Sequence, residues 1–319
     1  MPLKLPPIKI PKIQTASLVY LFALFVFLAI LSLTLFNIKT SETPSEPPPP
    51  AVQVSQAPKV TKETKNPKVE ALVKSARSQP GKWAIYVKDL KNQNTYELNS
   101  AQVFGAASVY KLAVMYAAYD AIESGKLKKT DVLSSTKTSL DQKISGIQNQ
   151  ISPPPAQADN ISYTVERALN LMITISDNYS ALLLAEKLGW SNMDKLMESQ
   201  GFSEINLVGT NSPNVTARST AALLEKIYKK EAVTKNYSEE MINLLLGQKV
   251  NDRIPKYLPQ DVKVAHKTGE LETIRNDAGI VFGKKGDYIF VFLTDTKNPL
   301  DAAENIATLS KEIFEELDR

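Results

Sequence analysis

Apolar positions recur at helical spacing in PKVEALVKSARS, where Val69, Leu72, Val73 and Ala76 fall on one side. KWAIYVKDL and TYELN follow; they alternate apolar and polar residues and are joined by KNQN, which predicts a β-hairpin. SVYKLAVMYAAYDAIESGKL predicts a long helix ending near Gly125. YTVERALNLMITISDNYSALLLAEKLG predicts two helices meeting near Ser176, Asp177 and Asn178, with Gly189 as the stop. TARSTAALLEKIYKKE predicts a helix with Thr216 as its N-cap, and SEEMINLLLGQ another. The pattern then changes to VKVAHKTG, NDAGIVFG and DYIFVFLTD, three strand-like runs with GKKGD as a tight turn between the last two. LDAAENIATLSKEIFEELDR closes the chain as a helix.

The order is helix, two strands, a long helical block, three strands, helix. Strands gathered at both ends of a helical insert predict an α+β domain. Its antiparallel sheet is assembled from both ends of the chain, with the terminal helices on one face. The central helices form a second, all-helical lobe, and a cleft between lobes is where ligands prefer to sit.

Before residue 67 the pattern is of another kind. Ser17–Phe36 is a run of 20 residues without a charge, long enough as a helix to cross a bilayer core of about 30 Å. Lys4, Lys9 and Lys12 precede it and no acid appears before Glu42, which places the N-terminus in the cytoplasm. The alternative is a cleaved signal peptide, but the run is long for one and NIKTSETPSEP carries no small-residue cleavage site. From 37 to 66 the chain is rich in Pro, Ser, Thr, Glu and Lys, which reads as an extended tether. The expected organisation is a cytoplasmic segment 1–16, a transmembrane anchor 17–36, a linker 37–66 and a catalytic domain 67–319. The catalytic domain is then extracytoplasmic on a single-pass membrane protein.

Composition narrows the chemistry. Among 319 residues, hydrophobic content is 43% and the net charge only +4, with no basic stripe interleaved with aromatics, which argues against nucleic acid. There is no cysteine, which excludes thiolate nucleophiles and disulfides, and one histidine, His266, which leaves little for a metal site. His266 adjoins Lys267 on a predicted strand, where neighbours point to opposite faces. If Lys267 faces the cleft, His266 does not, and a Ser-His-Asp triad fails.

GAASVYKLAV places Ser108 three residues ahead of Lys111 in an apolar stretch. The bland reading makes Ser108 a helix cap and Lys111 a snorkelling surface residue. The sharper one makes Ser108 a nucleophile at a helix N-terminus, with Lys111 one turn away as a base whose pKa burial lowers. A second Ser-x-x-Lys, Ser134 and Lys137, lies in a polar segment without helical period and is set aside. Downstream stand Ser176-Asp177-Asn178 and Lys267-Thr268-Gly269. Ser-x-x-Lys, Ser-Asp-Asn and Lys-Thr-Gly in that order are the motif set of penicillin-recognising serine hydrolases.

On these motifs, residues 67–319 resemble a class A β-lactamase or, more broadly, a penicillin-recognising serine hydrolase. The likeness extends through VERALNLMITISDNYSALLLAEKLG, LLGQKVNDRIPKYLPQDVKVAHKTG and RNDAGIVFG. It implies a β-lactamase/transpeptidase-like fold and acyl transfer to Ser108. Lys111 would take or relay the proton, and Ser176 would bridge Lys111 and Lys267. Asn178 would hold the substrate amide, and Lys267 and Thr268 its carboxylate. The backbone N–H groups of Ser108 and of Glu270, after Gly269, would hold the oxyanion, each such donor contributing about 3 kcal/mol. Asp177 would support the turn. Arg275 falls near the place of a carboxylate-binding arginine, on a hairpin about one residue short; a surface strand arginine is the alternative. The expected partners are a small-molecule β-lactam or a peptidoglycan peptide, with the chain a monomer and no cofactor called for.

The chain departs from the family in one place. Class A enzymes activate the deacylating water with a glutamate in an E-x-x-L-N pattern between the second and third motifs. The corresponding stretch here ends its acids at Glu204, and no Asp or Glu lies between Ile205 and Leu224. Two activations are needed for two half-reactions, and only the first set is present. Glu270 or Glu272 offers a different deacylation route. The readings left open are an anchored β-lactamase-type hydrolase, a D-Ala-D-Ala peptidase-like cell-wall enzyme, and a sensor that stays acylated. A dead scaffold is disfavoured, because every acylation residue is present.

Overall fold

The computed structural model describes residues 65–148, 159–209 and 213–319. The apolar run Ser17–Phe36 and the tether before residue 65 lie outside them. Among the described residues no helix is long and apolar enough to cross a membrane.

The predicted hairpin forms as β1 (Lys82–Asp89) and β2 (Thr95–Leu98), and the three late runs form β7 (Lys263–Glu270), β8 (Arg275–Phe282) and β9 (Asp287–Asp295). They make one antiparallel sheet in the order β2-β1-β9-β8-β7. β1 therefore pairs with the last strand, Trp83 opposite Thr294 and Val87 opposite Phe290. The run YIFVFL in β9 is apolar at every position because both faces of the sheet are covered. Ile289, Val291 and Leu293 enter the core shared with the helical lobe. Phe290 and Phe292 enter a second core under the terminal helices α1 (Pro67–Ser75) and α9 (Pro299–Leu317), with Val69, Val73, Ile306 and Ile313.

The lobe is built from α2 (Lys111–Glu123), α3 (Lys137–Gln148), α4 (Val165–Thr174), α5 (Asn178–Leu188), α6 (Trp190–Ser199), α7 (Ala217–Tyr228) and α8 (Lys235–Leu246). Its starts follow cap chemistry. Thr164, Asp177, Thr216 and Thr234 each accept a hydrogen bond from the backbone N–H three residues on. α2 is buried nearly all round, from Lys111 through Tyr119. Such a helix belongs in a core rather than on a surface. α7 packs over β8 and β9 and α8 against β7, which joins lobe to sheet within the unit 61–319.

Three details differ from the sequence expectation. Ser108 does not begin an α-helix but lies in a 3-10 turn, Ala107–Tyr110, that runs into α2. The segment around Ser134 and Lys137 is ordered as β4 (Val132–Thr136), paired with β5 (Asn160–Thr164), and then α3. Its Lys137 is ion-paired with Asp141 at the surface, so this Ser-x-x-Lys does not form a site. A further pair, β3 (Phe104–Gly105) and β6 (Asn214–Val215), is too short to leave a period-two trace.

Candidate active site

The segment before Ser108 is pinned from two sides. The Ala106 N–H donates to Pro213 O at 2.8 Å. Asn276, fully buried on β8, donates from Nδ2 to Gly105 O at 3.0 Å and to Ala106 O at 3.2 Å. Its Oδ1 accepts from the Thr294 N–H at 2.9 Å, so the amide is spent on fixing this approach. Ala107 then turns through φ +44°, a conformation that costs a non-glycine residue about 1–3 kcal/mol and that clusters at functional sites. On β7, Gly269 lies against the same turn. A Cβ there would stand 2.9 Å from Ala106 O and 3.1 Å from Val109 Cγ2, so only glycine permits this approach.

Lys111, the first residue of α2, is fully buried. That rules out the snorkelling reading. Its Nζ donates to Ser176 O at 2.7 Å and Asn178 Oδ1 at 2.8 Å, and lies 3.4 Å from Ser176 Oγ. Lys267 is fully buried too, and its Nζ donates to Ser176 Oγ at 2.9 Å and Thr268 O at 2.8 Å. Ser176 itself is held at φ +59° between α4 and α5, a second strained residue on the site. Asp177 accepts from the Ser180 N–H at 2.7 Å and caps α5, the supporting part expected of it.

Burial sets the electrostatics. It pushes the Lys111 ammonium down to about 7, against a smaller upward pull from Asp177. It drives Lys267 well below the usual lysine range, with the neighbouring Lys111 charge adding to the effect. Near neutral pH Lys111 is thus able to accept a proton as well as donate one.

Ser108 is half-buried and opens on a cavity lined also by Asn178, Glu270, Tyr110, Trp190, Leu182 and Leu271. Tyr110 and Trp190 make an aromatic wall, ring centroids 5.8 Å apart. Among the described residues Asn178 is engaged through Oδ1, by Lys111, and it lines the cavity beside Ser108. Thr268 is buried beside Lys267.

His266 is directed elsewhere: its Nδ1 is 2.9 Å from Asp277 Oδ1 and its Nε2 3.0 Å from Asn251 Oδ1. Gly279 faces it across the strands, where a Cβ would stand 2.5 Å from His266 Cβ.

Arg275 pairs with Glu270 across the β7–β8 hairpin, and its NH2 is ion-paired with Glu270 Oε1 at 3.0 Å. Its NH1 donates to Leu271 O and Ile274 O. The other carboxylate oxygen, Oε2, accepts from Arg253 NH2 at 3.0 Å. Arg253 is fully buried and was not foreseen from the sequence; NDRIP is a loop with no period to mark it. Asn276 was missed for a different reason: it is a polar residue in a run that reads as an apolar strand. Glu204 donates nothing to the cavity: its Oε2 accepts from Thr216 Oγ1 at 2.7 Å, tying down the cap of α7.

A sequence model of the β-lactamase enzyme family matches residues 66–317. β-Lactamase BRO-1 of Moraxella catarrhalis is 25% identical over 184 residues, covering 49% of this chain and 56% of that enzyme. The chain thus aligns with little more than half the length of that curated relative. Among solved structures, a β-lactamase from Sphaerobacter thermophilus DSM 20745 is 22% identical with a TM-score of 0.67, covering 78% of this chain and 96% of that one. PBP-A gives 22% identity and a TM-score of 0.67 over 78% of this chain and 94% of its own. The structural likenesses speak for the fold and the family match for descent: this chain belongs to the β-lactamase enzyme family.

Proposed function

We propose that the chain is a membrane-anchored, extracytoplasmic serine hydrolase of the class A β-lactamase type, acylated on Ser108 by β-lactams or related amides. The observation that carries this reading is the single hydroxyl, Ser176 Oγ, set between two buried lysines beside the cavity that Ser108 lines.

In the acylation step Ser108 Oγ attacks the amide carbonyl and its proton passes to neutral Lys111. The tetrahedral oxyanion is held by the N–H groups of Ser108 and Glu270. The C–N bond breaks as a proton passes through Ser176, with Lys267 at its back, to the leaving nitrogen. Tyr110, Trp190, Leu182 and Leu271 favour an apolar acyl group. The anchor rests on Ser17–Phe36 and on the lysines before it.

Release of the acyl group is slow on this reading, because Glu204 is spent on Thr216 and the cavity's one acidic side chain among the described residues, Glu270, is held by two arginines. That favours penicillin-binding behaviour over rapid turnover. A mutant of PBP-A, a protein of like fold, has been solved as an acyl-enzyme complex with penicillin G. The test is intact mass of the full-length chain mixed with a penicillin, with Ser108→Ala as control. A persistent adduct on wild type alone supports the reading. An adduct that clears while drug is hydrolysed makes the chain a working β-lactamase. No adduct and no hydrolysis overturns it.

A further inference from the structure

The carboxylate of Glu270 occupies a seat built for an anion. Each oxygen takes one guanidinium, Oε1 from Arg275 and Oε2 from Arg253, both at 3.0 Å. Both arginines are fixed. Arg275 is held by the carbonyls of Leu271 and Ile274, and Arg253 is fully buried. Among the described residues, the one acid besides Glu270 paired with Arg253 is Asp252, whose Oδ1 lies 3.3 Å from NH1. Its Nε and NH1 are buried without a hydrogen-bond partner among the described residues. Such a cation is costly to leave uncovered, so Glu270 can leave only if another anion replaces it. Yet Glu270 is not itself buried: its side chain is 56% exposed, and the residue lines the cavity that Ser108 faces. The seat is therefore within reach of a ligand and already filled by the chain.

We propose that Glu270 is a specificity-determining residue. Its carboxylate competes with the carboxylate of an incoming acyl donor for Arg253 and Arg275. The site accordingly discriminates against donors that carry a free carboxylate on the leaving-group side and favours donors that are neutral there. This rests on the acyl-transfer reading above. It adds a side-chain role to a residue whose backbone N–H alone enters that mechanism, and it reassigns Arg275 from the substrate to Glu270.

The experiment compares a penicillin with its methyl ester, on the full-length chain, by stopped-flow acylation and intact mass. The expected result is that wild type prefers the ester, and that Glu270→Gln raises the ratio of carboxylate to ester acylation rates by about tenfold or more. Glu270→Asp withdraws the charge by one methylene and shifts the ratio the same way by less. It keeps a partner for Arg253 should the glutamine variant fold poorly. A ratio that is unchanged or falls in both variants overturns the proposal.

A second arm needs no chemistry. In the Ser108→Ala background, Glu270→Gln tightens binding of the penicillin by about tenfold in calorimetry and leaves the ester unaffected. No tightening overturns the role of Glu270 even where acylation occurs. Tightening in this background, together with no acylation of any Ser108-containing chain, keeps the role of Glu270 and sinks the acyl-transfer reading instead.

Discussion

Lys267 Nζ and Lys111 Nζ stand 2.9 and 3.4 Å from one oxygen, Ser176 Oγ. Two buried amines share a hydroxyl that is able to accept from one and donate to the other. Ser176→Ala removes that link without removing a charge. Acylation of Ser108 is expected to slow by about 10²–10⁴-fold. Stopped-flow measurement with a penicillin checks this; a loss below threefold would leave Ser176 a structural residue only.

The pH dependence of acylation follows from Lys111. Burial holds it down at about 7, and on the proposed mechanism the free amine is the base. The acylation rate should rise with pH through about 7 and then level off. Lys111→Arg, which stays charged, should lose the rise along with most of the rate. A wild-type profile that is flat from acid to mild alkali would contradict a lysine base.

The same lysine makes stability depend on pH. Its folded pKa, about 7, lies below the unfolded value of 10.5, so the unfolded chain binds more protons between those two points. Stability contributed by this site therefore rises with pH across that window and is lowest below it, where a charged amine stays buried. Lys267 shifts the same way. The stability of wild type relative to Lys111→Met should rise from pH 7 toward pH 10, as read by urea unfolding at each pH. A difference that falls instead would reverse the sign argued here.

Gly269→Ala sets a methyl group against the Ala106 carbonyl, which is main chain and held by Asn276. The turn must shift, at a cost of about 1–3 kcal/mol. Acylation should fall along with stability, because the turn carries Ser108. Asn276→Ala frees the turn without crowding it, so acylation is expected to suffer while the cavity keeps its lining. Thermal melts paired with acylation rates separate the two.

Glu204→Gln tests whether the nearest acid in sequence has any part in deacylation. Its carboxylate is bound to Thr216 Oγ1. The substitution should cost about 1 kcal/mol of stability and leave the lifetime of the acyl-enzyme unchanged. A lifetime that lengthens several-fold would make Glu204 the water-activating base.

The three motifs were legible in sequence because each uses residues that are costly unless functional: a lysine in an apolar helix, a polar turn between helices, a lysine in a strand. Their meeting at one site was implied by the family resemblance and not by periodicity, which says which face a residue takes and not what meets it. Arg253 shows the limit. It lies 17 residues before Glu270, in a loop, and its partner on β7 is supplied only by the tertiary fold. Glu270 was legible as the residue after Lys-Thr-Gly, but its side chain acquires a role only when both arginines close on it. The start of α7 was marked by its Thr216 cap, whereas the Thr234 cap of α8 was passed over and the two-residue strands β3 and β6 were not marked at all.

The pairing of β1 with β9 has a consequence in time. Trp83 meets Thr294 and Ile85 meets Phe292, so the first strand of the sheet waits for the last. Lys267 and Gly269 reach the nucleophile's turn only through that sheet. A growing chain thus carries Ser108 and Lys111 for most of its synthesis without the groups that make them reactive. On the proposed mechanism, reactivity at Ser108 therefore waits for the closing strand to dock, and a chain interrupted before β9 is expected not to be acylated.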